Sequence, residues 1–361
     1  MRAVRIDSSG PRLVTLPAAP APAPGSALVR IRRIALTAAD APPTALSPSA
    51  TPSPPGFCFV GLVEQLNIDP AAPPAPPALR ERLAALQSQR IVASPTITCG
   101  ACDMCRAGLA PHCRERRLIG APPPLGRDGA LADTILLPIA NLAPVPDSLD
   151  DEHAMLAPLV ATAIHAAHLA ARARFLTIIG PGPLGLLTAA AAVARNPAGG
   201  GAAGGAAGAR YLVSTPAELA VCEKWSLKHR PISDAGRRHD QDAVIDCSGG
   251  LTTPGAASTN SVACALARPR ATLILASASP HPAPTSPLDL APALEHELII
   301  HGCRAGGGGG GAGSLTEALA LLAQGHFDTR ALISRRIKLD DAPAALRSLA
   351  SPDTLVISVE P

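Results

Sequence analysis

Four cysteines lie close together in the segment TCGACDMCRAGLAPHC, at Cys99, Cys102, Cys105 and Cys113. Thiols at this C-x2-C-x2-C-x7-C spacing can each bind one ion at about 2.3 Å, in the closed tetrahedral shell of a structural zinc site. A closed shell leaves no position for water or substrate, so this metal would hold a lobe together and catalyse nothing. Any fold of the chain must therefore bring these four side chains to one point.

Two other uses of these cysteines are possible. Disulfides or free thiols are less consistent with metal-like spacing in a chain where we see no export signal. A bacterial iron–sulfur cluster needs a final gap of three residues followed by proline, whereas here the gap is seven and Arg114 follows. We therefore predict zinc. The scattered cysteines are predicted to be reduced core residues: Cys58, Cys222, Cys247, Cys264 and Cys303.

The composition excludes some classes of protein. With 361 residues the chain is long enough for two or so domains, and its core must be built from Ala, Leu, Val and Ile because only 2% of residues are aromatic. A net charge of +3 without a basic stripe makes a nucleic-acid partner unexpected. Pro158, His165 and His168 interrupt the longest apolar run, at 154–171, so we expect no membrane span and a cytoplasmic protein.

The two halves of the chain differ in pattern. The first 150 residues hold short strand-like runs between proline-rich tracts, which predicts an all-β domain with the metal lobe inserted. An Ala-rich helix is predicted to start after Asp150, and from about Leu176 strands alternate with helices, as in a parallel sheet covered by helices. Two glycine-rich inserts, at 196–209 and 305–314, are predicted to be flexible connections and not phosphate-binding loops.

The segment GPGPLG follows the predicted strand FLTIIG and opens a predicted helix, which is the context that a dinucleotide-binding loop requires. Gly180 would permit the tight turn, Gly182 would let the backbone approach a pyrophosphate, and Gly185 would let the helix pack closely on the strand. Backbone N–H groups at the start of the helix, from Leu184 onward, would face the phosphates, with Pro183 as the first residue of that helix. We therefore predict that the chain binds NAD or NADP.

The residue at the end of the second strand decides whether such a site prefers NAD or NADP, because an acid there binds the ribose hydroxyls and repels a 2′-phosphate. In RYLVSTPAE this position falls near Ser214 or Thr215, and neither is acidic. We therefore expect a slight preference for NADP.

Together these features resemble the medium-chain dehydrogenase/reductase superfamily, in particular its zinc alcohol, polyol and threonine dehydrogenase branch. The segment DGALADTILLPIANLAPVPDSLDDEHAML and the tail EALALLAQGHFDTRALISRRIKLDDAPAAL are similar to the corresponding parts of that family. The resemblance implies an α/β fold with a GroES-like β-barrel domain at 1–149, whose zinc lobe spans about 97–115. A Rossmann domain with a doubly wound parallel sheet would follow at 150–297, and a return at 298–361 would complete the first domain.

The resemblance also implies where a catalytic zinc would bind, and this sequence departs from the family there. The matching positions hold Thr37, Phe57, Cys58 and Ala157, and one thiolate does not make a site. The usual proton relay is also missing, since Ala39 and Pro42 occupy its positions.

The resemblance leaves three candidate catalytic residues near the cleft, which are Thr37, Asp40 and His165. A structural role as a satisfied or partly exposed helix histidine is favoured for His165. For Asp40, a role as a helix-start or loop cap explains the residue as well as a catalytic one does. The candidate cofactor-binding residues are Thr162, Gly180, Gly182, Pro183, Leu184, Gly185, Ser214, Thr215, Ser248 and Arg304.

Two hypotheses of function follow. The first is an NAD(P)-dependent oxidoreductase that acts on a small molecule without a catalytic zinc, as a homo-oligomer like many members of the resembled family. The second is a catalytically silent relative that binds a dinucleotide or a partner. A zinc-bound structural subunit without a cofactor is a weaker third hypothesis, because GPGPLG is intact.

Overall fold

The computed structural model of the chain describes residues 1–7, 9–41, 54–68, 85–121, 126–194, 209–235, 239–248, 259–277, 290–304, 312–349 and 351–361. Strands of the first half are β1 (Arg2–Asp7), β2 (Gly10–Thr15), β3 (Ser26–Leu36), β4 (Cys58–Asn67), β5 (Arg90–Ala93), β6 (Thr96–Ile97), β7 (Arg117–Ile119), β8 (Gly126–Arg127), β9 (Thr134–Pro138) and β10 (Leu142–Pro144). Strands of the second half are β11 (Leu176–Ile179), β12 (Arg210–Val213), β13 (His229–Pro231), β14 (Gln241–Asp246), β15 (Ala267–Ser277), β16 (Ile299–Arg304), β17 (Ile333–Lys338) and β18 (Val356–Glu360).

The helices are short, and the buried ones are rich in alanine. They are α1 (Asp103–Arg106), α2 (Asp151–Ala154), α3 (Ala157–Leu169), α4 (Pro183–Ala194), α5 (Pro216–Lys224), α6 (Thr259–Leu266), α7 (Leu290–Glu295), α8 (Ala312–Ala323) and α9 (Ala342–Arg347). Among the described helices, none is long and apolar enough to cross a membrane.

The first half of the chain forms a seven-stranded sheet in the order β10-β5-β4-β3-β18-β17, and β9 also pairs with β3. Strand β3 is mostly buried, and its residues Val29, Ile31 and Ile34 pack in one apolar core. That core also contains Phe59 and Leu137. The last strand, β18, comes from the C-terminal tail and pairs antiparallel with β3. The C-terminal tail therefore contributes a strand to the sheet of the first half.

The second half forms a six-stranded parallel sheet in the order β13-β12-β11-β14-β15-β16. Helices α3 and α4 bury nearly all of their alanines against it, which lets their backbones approach closely where larger side chains would hold them apart. The chain order reverses between β11 and β14, and ligands of such sheets bind in the crevice outside the carboxyl ends of the strands at that point. The fold confirms the predicted Rossmann architecture.

The predicted boundary at residue 297 places Ile299–Arg304 in the return segment, but this strand is the sixth member of the parallel sheet. The rest of the proposed domain division stays a prediction. The glycine-rich insert at 196–209 lies outside the described residues except for Ala209, and the insert at 305–314 is described only from Ala312 onward.

Candidate functional site

The four cysteines of the lobe converge. Their sulfur atoms lie within 4.8 Å of one another, with Sγ–Sγ distances of 3.5 Å between Cys99 and Cys113 and 3.6 Å between Cys102 and Cys105. A tetrahedral zinc with bonds of about 2.3 Å has sulfur–sulfur edges of about 3.8 Å, whereas a disulfide needs about 2.05 Å. The donor set therefore fits a zinc ion and excludes disulfides among these cysteines in this structure.

The backbone of the lobe supports a thiolate at Cys99. The N–H groups of Ala101 and Cys102 donate to the sulfur of Cys99 at 3.4 and 3.3 Å, and they lower the pKa of that thiol. At the base of the lobe, the Asn141 side chain donates to the carbonyls of Ser94 and Thr96 at 3.1 and 2.8 Å. This buried amide fixes the lobe to the β domain, because it satisfies two carbonyls of the strand that enters it.

The glycine loop has the geometry that its sequence predicts. Gly180 has φ +120°, and a Cβ there would lie 2.5 Å from the Ser248 nitrogen. A Cβ on Gly185 would lie 2.6 Å from the Gly180 oxygen, so helix α4 can touch β11 only because that residue is glycine. Gly182 has φ +100°, and its missing Cβ faces space that is open for at least 4 Å. The loop is thus closed by contacts at Gly180 and Gly185 and open at Gly182, where a pyrophosphate could approach.

An acid that the sequence analysis missed lies beside this loop. The buried Glu218 carboxylate accepts hydrogen bonds from the backbone N–H groups of Gly182 at 2.8 Å, Ser214 at 2.7 Å and Thr215 at 3.3 Å. Burial raises its pKa, although these three donors oppose the shift. The end of β12 itself carries no acid, as expected at Ser214 and Thr215, but the first turn of α5 brings an acid to it. The capping-box pattern of Thr215-Pro-Ala-Glu218 was the available signal.

Tyr211 completes the support under the loop. Its hydroxyl donates to the Gly180 oxygen at 2.9 Å, and burial raises its pKa well above the usual value. Since it is the only tyrosine in the chain and is fully buried, no tyrosine can act as an acid toward a substrate.

A second acid lies at the carboxyl end of β14. The buried Asp246 accepts from the Ser248 N–H at 2.9 Å with Oδ1, while its Oδ2 has no hydrogen-bond partner, and burial raises its pKa. The Ser248 hydroxyl is 2.8 Å from that of Thr259. Ser248 is thus held against the tight turn at Gly180, and sequence reasoning could have found Asp246 as the acid that ends a strand at the crevice.

The remaining candidates lie along α3 and at the end of β16. The buried Thr162 hydroxyl donates to the Pro158 carbonyl at 3.0 Å, so it is satisfied within its own helix. The Cys303 sulfur lies 4.0 Å from the Thr162 carbonyl, which places Arg304 beside this helix. His165 is half-buried one turn along α3, where burial and the neighbouring His168 and His112 lower its pKa.

The positions that match a catalytic zinc site form part of an apolar core. Phe57, Cys58 and Ala157 are at most 1% exposed and belong to one hydrophobic cluster with Met155 and Leu159. Burial raises the pKa of the Cys58 thiol well above its usual value, which disfavours the thiolate that a metal requires. Among the described residues, the lobe quartet is the one group of three or more His, Cys, Asp or Glu side chains placed to share an ion.

Thr37 and Asp40 form a local pair beside this core. The Asp40 carboxylate accepts from the Thr37 backbone N–H at 3.0 Å and from its hydroxyl at 3.2 Å, in a capping box of a short 3-10 helix. Asp40 is 1% exposed, and burial raises its pKa to about 7. Asp40 thus takes part in the cap of this short helix. The catalytic roles of Thr37, Asp40 and His165 stay predictions.

Asp40→Asn is expected to flatten the dependence of stability on pH. Because the folded-state pKa lies above the unfolded value of about 3.8, ionisation of Asp40 destabilises the fold as pH rises from about 4 to about 7, by at most about 1.4 kcal/mol per pH unit. Asparagine can still accept both Thr37 hydrogen bonds but carries no charge. Urea unfolding at pH 5 and pH 8 measures the effect, with the exposed Asp353→Asn as control. An unchanged slope in Asp40→Asn would contradict the buried-carboxylate account.

Comparisons with known proteins agree with this geometry. Residues 23–147 match the alcohol dehydrogenase GroES-like domain family. L-threonine 3-dehydrogenase of Mesorhizobium japonicum is 29% identical over 160 residues, which is 43% of this chain and 41% of that enzyme. The match thus spans less than half of the relative's length.

Solved structures match over the whole chain. Galactitol-1-phosphate dehydrogenase from Escherichia coli has a TM-score of 0.76 at 20% identity and covers 100% of both chains. The cobalt- and zinc-bound thermostable alcohol dehydrogenase from Pyrobaculum aerophilum has a TM-score of 0.77 at 19% identity, and the match covers 100% of this chain and 99% of that one. At these identities the likeness is one of fold.

Proposed function

We propose that this chain, a member of the medium-chain dehydrogenase/reductase superfamily, is an NAD(P)-dependent oxidoreductase with one structural zinc and no catalytic zinc. Within that superfamily it resembles the zinc alcohol and threonine dehydrogenase branch. The observation that carries this proposal is the glycine loop, which is closed at Gly180 and Gly185 and open at Gly182, at the carboxyl edge of a parallel sheet. The first test is to measure zinc per chain beside the affinities for NADH and NADPH. One zinc and dinucleotide binding are expected.

Each part of the candidate site would have a separate role. The cysteine quartet would hold the zinc and shape the lobe, since four thiolates leave no position for a substrate. A bound nicotinamide ring supplies or accepts a hydride. The backbone amides at the start of α4 would bind the pyrophosphate, and the buried Glu218 would hold the loop in the shape that presents them.

The apolar surroundings of Cys58 limit the chemistry. A zinc Lewis acid stabilises a developing alkoxide by several kcal/mol, and the described residues near Cys58 include no set of ligands that could hold such an ion. Simple alcohols and ketones should therefore interconvert slowly, and acceptors that are already activated, such as enones and quinones, should react faster.

Turnover of any substrate found is expected to survive a mild chelator, because no zinc would contact the reacting atoms. The measurement is the rate with each nicotinamide cofactor over a panel of alcohols, polyols, quinones and enones, before and after treatment with EDTA. Circular dichroism confirms that the treated chain stays folded. Fast alcohol oxidation that EDTA abolishes would refute the zinc-free site.

NADH is expected to bind more tightly than NADPH. The Glu218 charge lies at the Ser214 and Thr215 amides, where it repels a 2′-phosphate and occupies donors that could hold one. Glu218→Gln should reduce this discrimination, while the exposed Glu223→Gln on the same helix should keep it. Calorimetric titration of both cofactors gives the ratio of affinities, and equal affinities in the unmodified chain would contradict the role of Glu218.

A catalytically silent relative is the second candidate function, favoured by the apolar core at the family's metal position. Clear dinucleotide binding without turnover over the whole panel would support it. In either case we propose a homo-oligomer, because the edge strand β16 exposes Ile299 at 52% and Ile300 at 38%.

A further inference from the structure

One cysteine of the lobe is open to solvent, and another is buried directly beside it. Cys99 is exposed, whereas Cys113 is fully buried. Their sulfur atoms lie 3.5 Å apart, and the Cys99 N–H donates to the Cys113 sulfur at 3.3 Å. Gly100 and Ala101, which follow, are also exposed, and a Cβ on Gly100 would meet no described atom within 4 Å. A small solute can therefore reach the Cys99 sulfur, while Cys113 is shielded from it.

The four sulfur atoms fall into two close pairs. Cys102 and Cys105 lie 3.6 Å apart, close to the 3.5 Å between Cys99 and Cys113, whereas Cys102–Cys113 is 3.9 Å and Cys99–Cys105 is 4.0 Å. Each close pair needs to approach by only about 1.5 Å to form an S–S bond of about 2.05 Å. Of the two pairs, only the first combines an exposed sulfur with a shielded one.

The cysteines outside the lobe provide a contrast within the same chain. All five are buried, and burial raises the pKa of the Cys222 and Cys303 thiols to about 12. Thiols in such surroundings are inert, because the thiolate is the nucleophile. The five are therefore an internal reference for the reactivity of the lobe: Cys58, Cys222, Cys247, Cys264 and Cys303.

We propose that Cys99 is a site of oxidation by hydroperoxides, and that its oxidation joins it to Cys113 and releases the zinc ion. This inference rests on the structural zinc of the proposed function and adds a means of regulating the lobe. The Cys99 thiolate attacks one oxygen of the peroxide, the O–O bond breaks, and hydroxide leaves. The sulfur is oxidised by two electrons to a sulfenic acid, and the peroxide is reduced.

Cys113 completes the reaction because it lies in reach of the sulfenic acid. Its thiolate attacks the Cys99 sulfur, an S–S bond forms, and a second hydroxide leaves; both hydroxides take protons from the solvent. Cys102 and Cys105 then supply only two of the four ligands of a closed zinc shell, so the ion dissociates. The Asn141 hydrogen bonds to Ser94 and Thr96 lie at the base of the lobe, so the β domain keeps its attachment.

The test uses the full-length, zinc-loaded chain with hydrogen peroxide as the probe. A chromogenic chelator measures released zinc, and mass spectrometry after differential alkylation maps the disulfides. About one zinc per chain should leave in step with a Cys99–Cys113 disulfide. This step should be about tenfold faster, or more, than oxidation of the five buried reference cysteines. Dithiothreitol followed by zinc should restore both the thiols and the bound ion.

Two variants that keep all four sulfurs test the access to Cys99. The Ala101 N–H donates to the Cys99 sulfur at 3.4 Å, so Ala101→Leu places a larger apolar side chain next to that sulfur. Ala101→Leu should keep its zinc and release it severalfold more slowly under peroxide. Ala107→Leu is the matched control, because it makes the same change at another exposed alanine of the lobe, and its release rate should equal that of the unmodified chain.

Several results would overturn the proposal. They are a first disulfide between Cys102 and Cys105, a sulfinic acid on Cys99 without a disulfide, and zinc that stays bound while the reference cysteines are oxidised. Equal release rates from Ala101→Leu and Ala107→Leu would also overturn it. A chain that is purified without zinc, yet forms the Cys99–Cys113 disulfide first, refutes the structural zinc of the proposed function and keeps Cys99 as the site of oxidation.

Discussion

Cys102→Ser is expected to release the zinc ion from the lobe. Serine oxygen is a poor zinc ligand, and the remaining three thiolates cannot close the tetrahedral shell. Structural zinc contributes about 10–16 kcal/mol of apparent binding free energy in small zinc domains, so losing the ion should unfold the lobe locally. Elemental analysis should give about one zinc per unmodified chain and close to none in the variant.

The control for this change is Ala101→Ser, which adds a hydroxyl to an exposed neighbour in the same loop and leaves all four sulfurs in place. Limited proteolysis should cut the Cys102→Ser lobe quickly and spare the control. Unchanged zinc content in Cys102→Ser would refute the assignment of the quartet. Two tightly bound zinc ions in the unmodified chain would refute the claim of a single site.

Gly182→Ala is expected to weaken cofactor binding, whereas Gly180→Ala is expected to destabilise the fold. A Cβ on Gly182 meets no atom within 4 Å, so the fold should lose only about 1–2 kcal/mol to strain at positive φ. The same methyl group enters the space that a pyrophosphate needs, and NADH affinity should fall by about tenfold or more. A Cβ on Gly180 would instead lie 2.5 Å from the Ser248 backbone nitrogen, so this change should destabilise the fold itself, by about 2–4 kcal/mol.

Urea unfolding and NADH titration of both variants distinguish the two effects. The informative result is a Gly182→Ala chain that unfolds nearly like the unmodified protein but binds NADH poorly. If Gly182→Ala binds NADH normally, the loop does not hold the pyrophosphate, and the proposed cofactor site is wrong.

The features that could be predicted from the sequence are those that depend only on residues close together along the chain. The alternation of strand and helix after Leu176, the glycines that permit positive φ and the spacing of four thiols are each readable within a short window. Sequence reasoning missed Glu218, because the expected acid was sought at the end of a strand, and only the fold shows that a helix residue reaches back to the same amides.

The pairing of β18 with β3 joins the two ends of the chain, with Ile357 opposite Leu36. Because β9 pairs with the first part of this edge of β3, a nascent chain would leave only Ile34–Leu36 of β3 without a partner until β18 emerges, while the parallel sheet, which lies between them in sequence, can already assemble. An apolar strand with an open edge is a template for aggregation. Loss of only the final strand would thus leave a correctly built dinucleotide-binding half attached to a partner that cannot close, and such a chain should accumulate as an insoluble product.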